Sequence, residues 1–246
     1  MDPAILIFET PREAAEACGD RILEILDRAR LDRAGGAPGM ATLAVSGGST
    51  PRLMFQAMAR RSFDWSGVQL YQVDERCVPP DDEQSNFRTI RESLLSNVVR
   101  KAQINECQFH RIQGELSPAE AARIYADDIR RSMNVRSGEL PAFDVIQRGM
   151  GPDAHTASLF PGEPLIADRT GIAAPVWVEK MKQYRVTLLP GVLERARHTL
   201  CLATGAEKAD ALHAVLRGPF DPLHVPSQIA SPDTAWYIDK SAAARL

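Results

Sequence analysis

Short apolar runs alternate with longer stretches of helical periodicity along most of the chain. Ile5 to Phe8 is the first apolar run. Pro11 then opens a segment in which Cys18, Ile22, Ile25, Leu26 and Ala29 fall on one helical face. Gly35-Gly36-Ala37-Pro38-Gly39 predicts a turn or loop. Ala41 to Val45 reads as a buried strand running into Ser46-Gly47-Gly48-Ser49-Thr50-Pro51, where Pro51 suits the first position of a helix. Val68 to Val73 predicts a strand ending at Asp74-Glu75-Arg76. Phe87, Ile90, Leu94 and Val98 mark another amphipathic helix. Ser117-Pro118-Ala119-Glu120 combines a capping box with proline at the first helical position, so a helix starts there. Phe143 to Ile146 predicts a strand feeding the segment Gly149 to His155. Val186 to Leu189 and Thr199 to Ala203 are further strands. Thr204-Gly205-Ala206-Glu207-Lys208 opens a helix through Leu216, and Ala235 to Ile238 is a last strand.

This alternation predicts an α/β fold: an open, mostly parallel, Rossmann-like sheet with helices on both faces, a possible small subdomain, and residues 1–246 forming one domain. Four polar or glycine-rich segments each follow the carboxyl end of a predicted strand. Open α/β sheets bind ligands at that edge, so four loops distant in sequence can meet in one pocket.

Composition narrows the function classes. With 246 residues, 44% hydrophobic and 25% charged, the chain can bury a core, which excludes disorder as its main state. The 29 Lys and Arg against 32 Asp and Glu give a net charge of −3, against a general nucleic-acid binder but compatible with a small anionic ligand. No run of 18 apolar residues and no signal-peptide pattern is present, so no membrane association and a cytoplasmic location are expected. Cys18, Cys77, Cys107 and Cys201 are widely spaced and read as reduced thiols.

Four motifs carry candidate chemistry, each with a plain structural alternative. Glycines in Ser46 to Thr50 let backbone amides approach an anion at a helix N-terminus; the alternative is a tight βα turn. Asp74-Glu75-Arg76 sets three charges at a strand end. Its arginine suits phosphate or carboxylate, and the alternative is a solvated charged turn. Gly149-Met150-Gly151-Pro152-Asp153-Ala154 loosely matches the dinucleotide fingerprint, but Pro161, Gly162 and Pro164 stop the long helix that fingerprint needs. What remains is a glycine turn presenting His155 near a helix start, either a general base or a capping or packed histidine. Lys208, in the first turn of a helix, opposes the dipole there and suits an anion; the alternative is an ordinary surface lysine. His110, His198, His213 and His224 show no ligand spacing, so no metal is expected, and no G-x-S-x-G elbow occurs.

Together with Cys77-Val78-Pro79, Ser85-Asn86-Phe87, Arg185-Val186-Thr187-Leu188, Pro226-Ser227-Gln228 and the string His155-Thr156-Ala157-Ser158-Leu159-Phe160-Pro161, these segments resemble the glucosamine-6-phosphate isomerase/6-phosphogluconolactonase family, in particular its lactonases. The resemblance covers nearly the whole chain. It implies hydrolysis of 6-phospho-D-glucono-1,5-lactone to 6-phospho-D-gluconate in the oxidative pentose phosphate pathway, without cofactor or metal. It implies that His155 takes a proton from water. Lys208 and the loop of Ser46, Gly47, Gly48, Ser49 and Thr50 are the candidates for the phosphate. Arg76 would bind phosphate or stabilise the oxyanion, and Asp74 would orient His155 or a substrate hydroxyl. Gly151 and Arg185 are further pocket candidates. The implied partner is a phosphorylated sugar lactone, and the implied assembly a monomer or small homo-oligomer. The runners-up are an amino-sugar phosphate deaminase, whose pattern has an acid where this chain has Ser158-Leu159-Phe160, and a catalytically weak sugar-phosphate-binding protein. The chain departs from the family pattern at Ala154, Leu189 and Arg148, where glycine, threonine and an apolar residue are usual. If the position before His155 needs φ > 0, Ala154 costs on the order of 1 kcal/mol.

Overall fold

A computed structural model describes residues 3–33, 40–96 and 108–246. Among them a seven-stranded, wholly parallel sheet runs in the order β1-β10-β9-β6-β2-β3-β5. Its strands are β1 (Ala4–Phe8), β2 (Ala41–Val45), β3 (Val68–Gln72), β5 (Phe109–His110), β6 (Val145–Arg148), β9 (His198–Ala203) and β10 (Thr234–Asp239). A second sheet is antiparallel, in the order β4-β8-β7, from β4 (Asp74–Arg76), β7 (Ala173–Val178) and β8 (Gln183–Leu188). This is the α/β architecture the periodicity predicts, with the small subdomain appearing as the antiparallel sheet.

The side-chain alternation of the strands divides the core. Leu43 and Val45 of β2, Val145 of β6 and Leu200 and Leu202 of β9 face α1 (Pro11–Arg33) and α2 (Ser49–Arg60), packing with Ile22, Leu26, Phe55 and Met58. Ala44, Tyr71 and Ile146 face the other way, onto α4 (Pro118–Ser132) and the small sheet. Cys201, Ala203, Trp236 and Ile238 face α6 (Ala209–Arg217) on that same side. Every residue of β2 is buried because both faces of the sheet are covered. No helix among the described residues is long and apolar enough to cross a membrane.

Several local expectations change. α2 begins at Ser49, so Pro51 is its third residue, still in the turn where an amide proton has no intrahelical partner. α4 starts at Pro118 as predicted, yet the Ser117 side chain makes no capping hydrogen bond. The amphipathic segment after Ser85 divides into α3 (Asn86–Ile90) and a π-helical turn over Arg91–Leu95; Val98 lies outside the described residues, as do residues 35–39 and Cys107. The strand predicted over 143–146 forms two residues later. A short helix, α5 (Pro190–Glu194), follows β8. Val73 joins the two sheets: its amide donates to the Val45 carbonyl at 2.9 Å, and its own carbonyl accepts from Leu188 at 2.8 Å.

Candidate active site

β9, β6, β2 and β3 are consecutive neighbours in the sheet, and the segments following them are the four motifs. After β2 the chain proceeds to β3 and β5 on one side, then returns to β6 on the other. The loops after β2 and β6 therefore diverge, which opens a crevice at the carboxyl edge. A cleft of about 280 Å³ lies there. Its lining includes Ser46, Gly47, Gly48, Ser49, Thr50, Asp74, Arg76, Gly151, His155, Arg185 and Lys208, so the structure brings every candidate residue to one place. A larger hollow of about 470 Å³ sits at the opposite, amino-terminal edge, where Arg197 lies 3.3 Å from Asp144 and Arg21 3.1 Å from Glu24. It gathers none of the candidates.

Ser46 to Thr50 forms the floor. α2 begins inside this loop with no side-chain cap, leaving first-turn amides for an anion. Gly48 has φ 118°, a conformation that favours glycine, and a Cβ on Gly47 would fall 2.2 Å from Asn86 Oδ1. The Ser46 hydroxyl is buried without a hydrogen-bond partner. Thr50 and Thr204 hydroxyls meet at 3.1 Å, tying the β2 loop to the β9 loop.

Asp74-Glu75-Arg76 follows the end of β3 as predicted but is no solvated turn: it forms β4, with Asp74 and Glu75 5% and 2% exposed. Glu75 accepts from the amides of Asn86 and Phe87 at 2.8 and 2.7 Å and from the Gln72 side chain at 2.8 Å. It clasps the start of α3 and sets Asn86 against the cleft. Burial pushes its carboxyl above the ordinary value, and these donors pull it back. Arg76 stands opposite Arg185 in the antiparallel register, which places two guanidinium groups on the same wall. Arg76 donates to the Gln84 carbonyl, and Arg185 lies 5.7 Å over the Phe160 ring. The Nε atoms of both are buried without a partner. Burial lowers the Arg185 pKa, with Asp74 opposing.

His155 sits in a turn after β6 with no helix beginning at it. Its Nδ1 lies 2.5 Å from Asp153 Oδ1, and its ring stacks on Phe160 with centroids 4.2 Å apart. A carboxylate only accepts, so Nδ1 carries the proton, and in the neutral imidazole the lone pair is then on Nε2. His155 draws the Asp153 carboxyl well below the usual carboxylate range. Of the two alternatives for Asp74, orienting His155 or a substrate hydroxyl, the first gives way: Asp153 holds His155. Asp74 Oδ2 accepts from the Ser158 hydroxyl at 2.7 Å, and its carbonyl accepts from Asn86 Nδ2 at 2.9 Å. Gly151 has no room for a side chain, since a Cβ there would lie 2.0 Å from His155 Nδ1 and 2.5 Å from Asp153 Oδ1. Ala154 has φ 63°, the strained conformation anticipated from its sequence position.

Lys208 closes a 3₁₀ turn over Ala206–Lys208 and caps α6 rather than sitting within its first turn. It is half-buried and lines the cleft, and burial lowers its pKa with Glu207 and Asp153 opposing. The turn is held from β10, where Asp239 accepts from the Gly205 amide at 2.9 Å. Sequence reasoning gave no role to Asp153, Asn86, Ser158 or Asp239. Asp153 carried a local signal, an Asx residue two positions before a histidine, and Asn86 and Ser158 lay within quoted motifs without a role.

Residues 9–238 match the family model described as glucosamine-6-phosphate isomerases/6-phosphogluconolactonase. The chain belongs to this family. Among relatives, a 6-phosphogluconolactonase of Treponema pallidum is 37% identical over 187 residues, 74% of this chain and 76% of that one. The solved 6-phosphogluconolactonase of Trypanosoma cruzi superposes with a TM-score of 0.85 at 25% identity, covering 100% of this chain and 98% of the other. A solved monomeric glucosamine-6-phosphate deaminase superposes with a TM-score of 0.79 at 17% identity over 99% and 100% of the two chains, which shows the shared fold alone.

Proposed function

We propose that this family member is a lactone hydrolase that opens 6-phospho-D-glucono-1,5-lactone to 6-phospho-D-gluconate, the hydrolytic step of the oxidative pentose phosphate pathway, with His155 as general base. The observation that carries this reading is that His155, paired with Asp153, lines one cleft with Lys208, Arg76, Arg185 and the loop opening α2. The cations and amides suit a phosphate. The imidazole, its Nδ1 engaged, presents Nε2 for proton transfer.

In this mechanism the phosphate end is gripped by Lys208 and the Ser46 to Thr50 loop, which sets the ester carbonyl near His155. Nε2 takes a proton as water adds to the carbonyl carbon. Asp153 stabilises the imidazolium, and Arg76 or Arg185 faces the developing oxyanion. The tetrahedral intermediate collapses with cleavage of the bond to the ring oxygen, which receives the proton from Nε2. Atoms balance with water as the only co-substrate.

The test is lactone hydrolysis after in-situ generation of the substrate, with the spontaneous rate subtracted. His155→Ala keeps the fold and loses at least ~10²-fold in kcat, the scale of general base catalysis. Near wild-type turnover rejects the assigned base, and ammonia release from glucosamine 6-phosphate redirects the reading to a deaminase.

A further inference from the structure

Arg148 is 1% exposed, at the end of β6 on the side of the sheet facing α4 and α6. Among the described residues no carboxylate pairs with it, and its Nε has no hydrogen-bond partner. A permanently charged group in such a place is unfavourable unless something is organised around it. Ile146, two residues earlier on the same face, is a buried apolar core residue.

Beside the Cys201 thiol on the neighbouring β9, the guanidinium touches the underside of the His155 loop. Nη1 donates to Thr156 Oγ1 at 3.3 Å, and the Thr156 hydroxyl in turn donates to the Gly149 carbonyl at 3.1 Å. Nη2 donates to the Ile229 carbonyl and reaches the Ser227 carbonyl at 3.5 Å. Ser227 closes the circuit: its amide donates to the Ala154 carbonyl at 2.9 Å and its hydroxyl to the His155 carbonyl at 3.2 Å. The segment gripped in this way is strained, with Ala154 at φ 63° and Ala157 at φ 52° on either side of His155 and Thr156. Non-glycine residues leave the left-handed region unless held there.

We propose that Arg148 is a positioning residue: from inside the core it ties the Thr156 hydroxyl to the Ser227–Ile229 turn, and so holds Ala154 left-handed and His155 aimed into the cleft. The role rests on the lactonase reading for its kinetic consequence. Its structural consequence is independent of any substrate.

The experiment compares Arg148→Met, Arg148→Lys and the double variant Arg148→Met/Ala154→Gly in the full chain. Arg148→Met removes the clamp with similar volume, so the loop relaxes. Amide exchange across residues 151–158 speeds up about ten-fold, and kcat falls about ten-fold while KM stays within about two-fold. Arg148→Lys reaches one side of the circuit only and falls between wild type and Met. In the double variant glycine has no tendency to leave φ > 0, so kcat returns to within about three-fold of wild type. A role in core stability alone gives no such recovery. Wild-type exchange in Arg148→Met, or a kcat loss that Ala154→Gly does not recover, overturns the proposal. Should Arg148→Met fail to fold, Arg148→Lys with and without Ala154→Gly decides by the same exchange and recovery. Absence of lactonase activity in the wild type rejects the functional reading instead, while the exchange measurement still judges the clamp.

Discussion

Replacing Asp153 by asparagine tests the proposed mechanism most directly, because it alters charge and leaves volume unchanged. In the native protein Asp153 Oδ1 lies 2.5 Å from His155 Nδ1, and the two side chains are 29% and 20% exposed. In the proposed mechanism the carboxylate contributes in two ways. It fixes the tautomer with the lone pair on Nε2, and it stabilises the imidazolium that forms as water is deprotonated. A hydrogen bond to a charged group is worth about 1.5–3 kcal/mol, and each ~1.4 kcal/mol is a factor of ten in rate. Partial exposure screens the pair and places the loss toward the lower end. The expected result is a kcat reduced by roughly 10- to 50-fold. KM should change little, since the proposed phosphate contacts are made by other residues. The assay is lactone hydrolysis against the spontaneous rate, alongside a melting curve to show that the variant is folded. A folded Asp153→Asn protein within two-fold of wild-type kcat would refute the argument that this carboxylate supports the base.

Other variants probe the remaining contacts. Gly151→Ala inserts a methyl 2.0 Å from His155 Nδ1, so the imidazole must move; kcat should fall by about 10² or more with roughly 1–3 kcal/mol lost in stability, read from turnover and denaturant melts. Unchanged turnover there would show that the loop has slack. Lys208→Ala should chiefly raise KM and abolish thermal protection by inorganic phosphate, and retained protection would place the anion elsewhere. Burial lowers the Lys208 pKa below its ordinary 10.5, so the amine gives up its charge at a lower pH than a free lysine. The Lys208 share of phosphate affinity should thus weaken at a lower pH than an ordinary lysine would allow, and Lys208→Arg should carry it to higher pH. Calorimetric titration across that range checks the sign.

The sequence by itself determined most strands of the parallel sheet, the longer helices and the position of the four motifs. Those features are written locally. The buried run Ala41 to Val45, the periodic residues of α1 and the Ser117-Pro118 helix start depend on residues a few positions apart. A motif placed after a strand lies at the carboxyl edge of a parallel sheet whatever the strand order. What stayed illegible was short or atypical: β5 has two residues, and β7 carries Pro175, tolerable there because β7 is an edge strand. Only the tertiary structure decided that Asp74-Glu75-Arg76 leaves the parallel sheet to pair with β8, that Asp153 rather than Asp74 holds His155, and that Arg148 lies beneath the loop. The partner of a buried polar side chain is whichever group the fold brings to it. Asp74 meets Ser158 and Arg148 meets Ile229 across 84 and 81 positions of chain, a distance over which no local pattern carries information.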